Sequence, residues 1–519
     1  MFHQSSAKLK IAGILTAAVS TVSMLSLIAQ AATEQQLVGY RGDVNNDMTV
    51  NVTDAVLMAQ HLNTQGALSC DLPHADLDDS QSVNAVDLTI LKRRAIKGEE
   101  PDGIYEEVEV PEDNLIAPPI ADVKPTLPSV GDTNILMFAV NFPDCVHSEN
   151  YTTEQIWEMS FGPEDKSSSA YPLESISAYY TRSSYGRLNM QGDVFQYTTK
   201  NNIDSYIGNT DGLLEEIMSA FDSEIDYSKY DVNLDGTMDT VIVALPGAAS
   251  GRDGNGDGSD DWWPCSGGYY GRKKYDNVKA GNLCIGAWAL SDRSGFNSTW
   301  VHELGHAMGL PDYYKYENTQ NGYYGLNGDA GWEMMDDAFG DMSAFSKLMY
   351  GWYTEKELQV YRGGTQTFTI QSNQYAPSCI LIPRNNLDSY HEEYFIVELN
   401  TADMNNQYMF YENTPYPLFR QGGIRVLHCN AELWDGYWGP ELKWNNYGQN
   451  YDSSNEKQRV LRLVNENNGF FRAGATISNS TSGFAWYDSN GDRTVNPGIT
   501  ITVDAINSDG TATVTITQN

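Results

Sequence analysis

The chain has 519 residues, with 32 Lys and Arg against 69 Asp and Glu and a formal net charge of -37 at pH 7. So acidic a surface repels phosphate backbones and anionic lipid, which excludes nucleic acid and anionic membranes as partners, and the length calls for two or three folding units. Six cysteines without a C-x-x-C pair or zinc-finger spacing leave thiol chemistry a poor reading.

Lys8 and Lys10 precede an apolar stretch, Ile11 to Ile28, and then Ala29, Gln30 and Ala31. This pattern predicts a secretory signal peptide over residues 1–31, cleaved after Ala31. No later run is long and apolar enough to span a bilayer, so the expected product is secreted and extracellular. In an exported chain the cysteines can pair, and Cys265 with Cys284, or Cys379 with Cys429, are the first pairs to test.

Residues 40–98 carry one pattern twice. Asp43, Asn45, Asp47, Thr49, Asn51 and Asp54 are followed by Asp76, Asp78, Ser80, Ser82, Asn84 and Asp87, which puts oxygen donors at positions 1, 3, 5, 7, 9 and 12 of a calcium loop. Met48 and Gln81 replace the usual glycine at position 6. Each loop runs into an apolar-periodic segment, Ala55 to Leu62 and Leu88 to Ile96, which predicts a helix. This tandem loop-helix unit resembles a type I dockerin, a small all-α module. The resemblance implies calcium at the listed donors, a cohesin partner on a scaffoldin, and recognition by Val52, Thr53, Ala85 and Val86. Residues 99–128, rich in Glu, Asp and Pro, read as an extended, self-repelling linker.

A new unit, residues 129–355, opens with a buried strand at Ile135 to Val140. Helices are predicted at Thr152 to Met159 and Ser175 to Thr181, and strands at Leu188 to Phe195, Thr240 to Leu245 and Leu283 to Leu290. Asp231, Asn233, Asp235, Gly236, Thr237 and Asp239 make a D-x-N-x-D-G pattern, read as a structural calcium loop; Asp253, Asn255, Asp257, Gly258 and Asp261 could form another. Asn297, Ser298 and Thr299 offer N-caps for the next helix.

On that helix His302 and His306 stand four residues apart and so point the same way, while Glu303 lies about 100° round the axis. Two imidazoles can hold zinc, and the glutamate can take a proton from a metal-bound water without ligating. Gly309 permits the positive φ that ends the helix, Pro311 prevents its resumption, and Asp312 is brought back as the third ligand; Glu333, Asp329 and Asp336 are alternatives. Tyr313, Tyr314, Tyr323 and Tyr324 are candidate proton donors.

Together with Asn141 to Asp144 and Ser184 to Leu188, the long motif resembles the immune inhibitor A family of secreted bacterial metallopeptidases. The resemblance implies an α/β zincin-like fold hydrolysing peptide bonds, aligns Trp332 to Met335 with a Trp-acid-x-Met segment, makes Met335 the Met-turn residue beneath the zinc, and takes Ser343 to Trp352 as the closing helix.

Residues 356–519 are strand-dominated: Phe368 to Ile370, Cys379 to Ile382, Tyr394 to Leu399, Ile424 to His428, Ile499 to Val503 and Thr511 to Ile516. They predict a β-rich, sandwich-like C-terminal domain. Asp488 to Asn496 hints at a further calcium loop, and His391 and His428 lack metal spacing. The chain thus reads as a multidomain, dockerin-borne zinc endopeptidase acting on protein or peptide substrates. The competing reading is a dockerin-borne carbohydrate-binding or structural component with a vestigial zinc site, suggested by Trp434, Tyr437, Trp438 and Trp444.

Overall fold

The periodicities translate into two compact units, Met1–Asp113 and Asn114–Asn519. The structure, a computed structural model, describes residues 33–45, 50–64, 72–78, 80–97, 103–109, 126–268, 273–314, 333–337, 340–385, 389–410, 422–436, 439–444, 458–465 and 470–519. The signal-peptide stretch, Asp47, Thr49, Tyr323, Tyr324, Asp329, Trp332, Tyr437 and Trp438 lie outside the described residues.

In the first unit the helices span Val52–Thr64 and Ala85–Lys97. Each begins three residues before its apolar period does, because Asn51 and Asn84 accept the N–H groups of Thr53 and Val86, both at 2.7 Å, and so cap the first turn. The core beneath them is small: Val44, Ala55, Met58, Ala75, Leu77 and Leu91. So small a core ordinarily needs a metal or cross-link beside it. The unit is not wholly helical. Thr33–Tyr40 and Gly103–Glu109 pair as an antiparallel ladder, so part of the stretch read as linker is a strand. Two Gln- and Glu-rich strands far apart in sequence carry no apolar alternation by which to find them.

In the second unit Leu188–Thr198, Gly131–Asn141, Val241–Pro246 and Asn282–Trp288 lie side by side as parallel strands, and Cys265–Gly268 closes the far edge antiparallel. Both faces are buried, as a parallel sheet requires. Ile135, Met137, Ala139, Ile242 and Ala244 face the helices Thr153–Phe161, Ile176–Ser183 and Arg293–Ala307, while Leu136, Phe138, Val140, Val241 and Val243 face Thr210–Ala220 on the other side.

Among the described residues the strand-rich remainder forms two larger sheets and two two-stranded ribbons, Leu433–Gly436 with Gly439–Leu442 and Trp486–Tyr487 with Arg493–Val495. One of the larger sheets contains Leu358–Val360, Cys379–Pro383, Glu393–Asn400, Gly423–Asn430 and Leu461–Leu463; the other contains Thr365–Gln371, Thr511–Gln518, Ile499–Ile506 and Thr476–Ile477. The five-stranded sheet is buried on both faces. Ile380, Ile382, Phe395, Val397 and Val426 pack toward the four-stranded sheet, whereas Leu381, Ile396, Leu427 and Cys429 join the core around the helix Arg293–Ala307. Among the described residues no division between compact units falls near residue 355.

Neither cysteine pair is bonded; all four are free thiols. Cys265 stands opposite Ile285 and Cys284 opposite Ser266, which sends the two thiols to opposite faces of the sheet. Cys379 and Cys429 lie on strands separated by Glu393–Asn400, roughly 10 Å apart at strand spacing, beyond the reach of a disulfide. No helix among the described residues is long and apolar enough to cross a membrane.

Candidate metal centre

The helix carrying the motif, Arg293–Ala307, is buried along nearly its whole length. Its N-cap is Asp292, which accepts the Gly295 N–H at 3.1 Å, and not the Asn297 to Thr299 group, which lies inside the helix. Asn297 was available as a cap by type, but its amide instead donates to the Met159 and Leu173 carbonyls at 2.7 and 2.8 Å. The other end stops as the sequence predicts. Gly309 has φ 108° and donates to the His306 carbonyl at 2.8 Å, turning the chain back over the last turn.

That return places Asp312 against both imidazoles. Its Oδ1 lies 2.9 Å from His302 Nε2 and 3.2 Å from His306 Nε2, and the two Nε2 atoms are 3.2 Å apart. The opposite ring nitrogens are held by backbone carbonyls: His302 Nδ1 by Met334 at 2.8 Å, His306 Nδ1 by Leu310 at 2.7 Å. A carbonyl can only accept, so each Nδ1 carries the hydrogen and each Nε2 offers its lone pair to the common point. A tetrahedral ion with bonds of about 2.0–2.1 Å spaces its donors about 3.3 Å apart, so the three donors fit zinc in both chemistry and spacing.

Electrostatics follow from this crowding. Burial opposes charge on both imidazoles, yet the Asp312 carboxylate outweighs it, raising His302 and pushing His306 up to about 9. Burial acts against the Asp312 charge too, and the two imidazoles overcome it, holding the carboxyl far below its usual range. Glu303 is buried and its pKa is raised by desolvation, moderated by His302 and His306.

Met335 lies directly under the helix. A Cβ on Gly305 would come within 2.4 Å of its sulfur, so any larger residue there must displace the Met335 side chain. Glu333 lies outside the cluster formed by His302, His306 and Asp312. Its carboxylate accepts the Met335 N–H at 2.5 Å, the Ser343 N–H at 3.0 Å and the Ser346 hydroxyl, tying the Met335 segment to the start of the helix Ala344–Met349. Asp336 is buried and belongs to no cluster of metal-ligating atoms among the described residues. Tyr313 is packed, its hydroxyl 3.0 Å from Ser346; Tyr314 lies over His302 with ring centroids 6.3 Å apart. The Met334 and Leu310 carbonyls and the Glu333 brace carry no signal in sequence, because two act through backbone and the third looks like a spare ligand.

In the first unit Asp76, Asp78 and Asp87 bring carboxylate oxygens within 4.8 Å of one another. Asp87 accepts the N–H groups of Leu77 at 2.7 Å and Asn84 at 2.8 Å; Asp54 repeats this in the first loop with Val44 at 3.0 Å and Asn51 at 2.8 Å. Asp43 is buried beside them. Gln81 adopts φ 63°, taking the left-handed turn without the glycine. Ser80 and Ser82 bond each other and remain exposed. Val52, Thr53, Ala85 and Val86 are all exposed. In the second unit Asp231, Asn233, Asp235, Thr237 and Asp239 do share one loop, and burial together with Asp231 and Asp235 pushes Asp239 up to about 7.

Two imidazoles from one helix and a carboxylate from the turn after it, converging beside a buried glutamate, define a class: a candidate metal site on an α/β scaffold. Comparison with known families makes the class particular. Residues 41–95 match the type I dockerin domain and residues 268–360 match Peptidase M66, matches whose order is that of a dockerin-bearing metallopeptidase. The second match encloses the 302–312 motif and Met335, residues on which the resemblance to the immune inhibitor A family rests, and its description is Peptidase M66. No curated protein matches the chain.

Proposed function

We propose that the chain is a secreted zinc endopeptidase, anchored to a cohesin-bearing scaffold by its calcium-loaded dockerin. One observation carries the enzymatic half: His302 Nε2, His306 Nε2 and Asp312 Oδ1 converge with both Nδ1 atoms already committed to backbone carbonyls. The three side chains would hold zinc, which supplies a Lewis acid that acidifies water and polarises a peptide carbonyl.

The chain's own groups supply the rest. Glu303 follows His302 directly, and its raised pKa suits a carboxylate that takes the water's proton and returns it to the leaving amine. Asp312 neutralises positive charge around the two rings. Met335 and Gly305 fix the depth at which the helix sits, and Tyr314 shields one face of His302. The exposed Val52, Thr53, Ala85 and Val86 at the two helix starts are the surface offered to a cohesin, and an extracellular, cellulosome-type setting follows from such a partner.

The test uses the full chain, purified and assayed for bound zinc and for digestion of a denatured protein. Wild type should hold one zinc and cleave; Glu303→Ala should hold zinc and not cleave. Zinc-free native protein, or full activity in the variant, overturns the enzymatic half.

A further inference from the structure

Among the described residues the strand Cys265–Gly268 is the last in its sheet and pairs on one side only, antiparallel to Asn282–Trp288. It has four residues, half-buried or exposed, and two of them are glycines. A Cβ built on Gly267 would meet nothing within 4 Å, so open space lies beside that stretch of backbone. A ladder this short, with so little side chain to pack, needs a further tie to hold one position.

A run of buried polar groups provides it. Asn282 is fully buried, and its side-chain amide donates to Thr240 Oγ1 at 3.1 Å and to Ser266 Oγ at 3.0 Å. Ser266 Oγ lies 3.6 Å from Cys284 Sγ, with Thr240 Oγ1 at 3.6 Å from the same sulfur. Cys284 Sγ in turn lies 3.7 Å from the carbonyl oxygen of Glu303, on the metal-bearing helix.

The donors can be assigned. A carbonyl only accepts, so the thiol hydrogen points to Glu303, and the Ser266 hydroxyl, already accepting from Asn282, gives its hydrogen to the sulfur. Burial, and after it the Glu303 charge, pushes the Cys284 thiol up to about 12, which keeps that hydrogen in place. The relay therefore runs one way, from Asn282 through Ser266 and Cys284 to the main chain of Glu303, each bond polarising the next. An apolar side chain at position 284 would fill the space under the helix without tying the edge strand to it.

We propose that Ser266 and Cys284 are positioning residues that latch the edge strand Cys265–Gly268 to the helix at the level of Glu303, so that its open backbone edge aligns an extended substrate beside the His302 centre. The consequence for catalysis rests on the peptidase reading above; the latch itself does not. A substrate segment paired with this strand is held equally before and during bond cleavage, so the latch acts on binding and not on the chemical step.

The experiment uses the full chain with bound zinc and compares wild type with Ser266→Ala, Cys284→Ala and Cys284→Ser. It reads amide hydrogen exchange over residues 265–268, and kcat and KM for a long unfolded polypeptide. Both alanine variants should exchange about tenfold faster at 265–268 while the helix at 293–307 keeps its protection. They should also raise KM about 3- to 10-fold with kcat and zinc content unchanged. Cys284→Ser keeps a donor at that position and should match wild type in both readouts. Should Cys284→Ala fail to fold, Ser266→Ala, at a half-buried edge position, carries the comparison alone. Unchanged exchange at 265–268 overturns the latch whether or not the protein cleaves. Faster exchange with KM unmoved, or a fall in kcat with zinc lost, overturns its part in aligning substrate. The expected exchange in a wild type that cleaves nothing would uphold the latch and overturn the peptidase reading.

Discussion

The second dockerin loop and the His302 centre both gather ligands from one short stretch of sequence, yet they are built in opposite ways. The loop is self-wired: Asp76, Asp78 and Asp87 satisfy its own backbone N–H groups, so the ligands are oriented by the segment that bears them. The His302 centre has its donors within eleven residues, but one ring is aimed by the Met334 carbonyl, and that segment is pinned by Glu333 to the start of Ala344–Met349. Local spacing suffices to find both sites. It suffices to assemble only the first.

The sharpest way to break this contrast is at the base. Glu303→Gln should lower peptide cleavage by about 10²- to 10⁴-fold while leaving zinc content and cohesin binding as they were. Loss of zinc instead would make Glu303 part of the ligand set. Next comes the remote brace: Glu333→Gln removes charge from a carboxylate that accepts four hydrogen bonds and should weaken zinc affinity about 10- to 100-fold, read by chelator competition. An unchanged affinity would mean that the Met334 carbonyl holds its place without help.

Gly305→Ala should cost about 1–3 kcal/mol, seen as a lower melting temperature of the peptidase transition, since the new methyl meets the Met335 sulfur. The corresponding test of the self-wired loop is Asp87→Ala. It should cost the first unit about 1–3 kcal/mol by stranding the Leu77 and Asn84 N–H groups, with cohesin capture lost and peptidase melting unmoved.

The smallest effect is one of pH. In metal-free protein the His306 pKa is raised to about 9, above its unfolded value near 6.5, so the stability it contributes is complete below about pH 6.5 and is lost as pH rises through 9. Zinc requires the same ring unprotonated, so zinc affinity should move the other way, rising with pH to about 9 and releasing protons on binding at pH 7. Calorimetry in two buffers of different ionisation enthalpy measures that release; none at pH 7 would remove Asp312 from the pairing.

Much of this was legible in the sequence wherever the physics is local. Spacing set His302, Glu303 and His306 on one helix, Gly309 announced the turn that delivers Asp312, and the repeated donors marked the dockerin segment. What escaped depends on distance in the chain. Asp292 displaced Asn297 as the cap because Asn297 finds partners on Met159 and Leu173, far upstream. Glu333 could not be told from a ligand until Ser343 and Ser346 were seen to occupy it. The thiol pairs failed on sheet register, and the strand at Gly103–Glu109 was hidden by its acidic composition.

The sheet that includes Cys379–Pro383, Glu393–Asn400 and Gly423–Asn430 is a party wall, plastered on one side by the metal-bearing half and on the other by the last strands of the chain. Neither tenant can be evicted alone. A gene cut near codon 355 would yield a polypeptide whose helix at residues 293–307 faces water where Leu381, Ile396 and Leu427 should stand, so shuffling or trimming must carry the whole stretch from residue 126 to the C-terminus as one inheritable block.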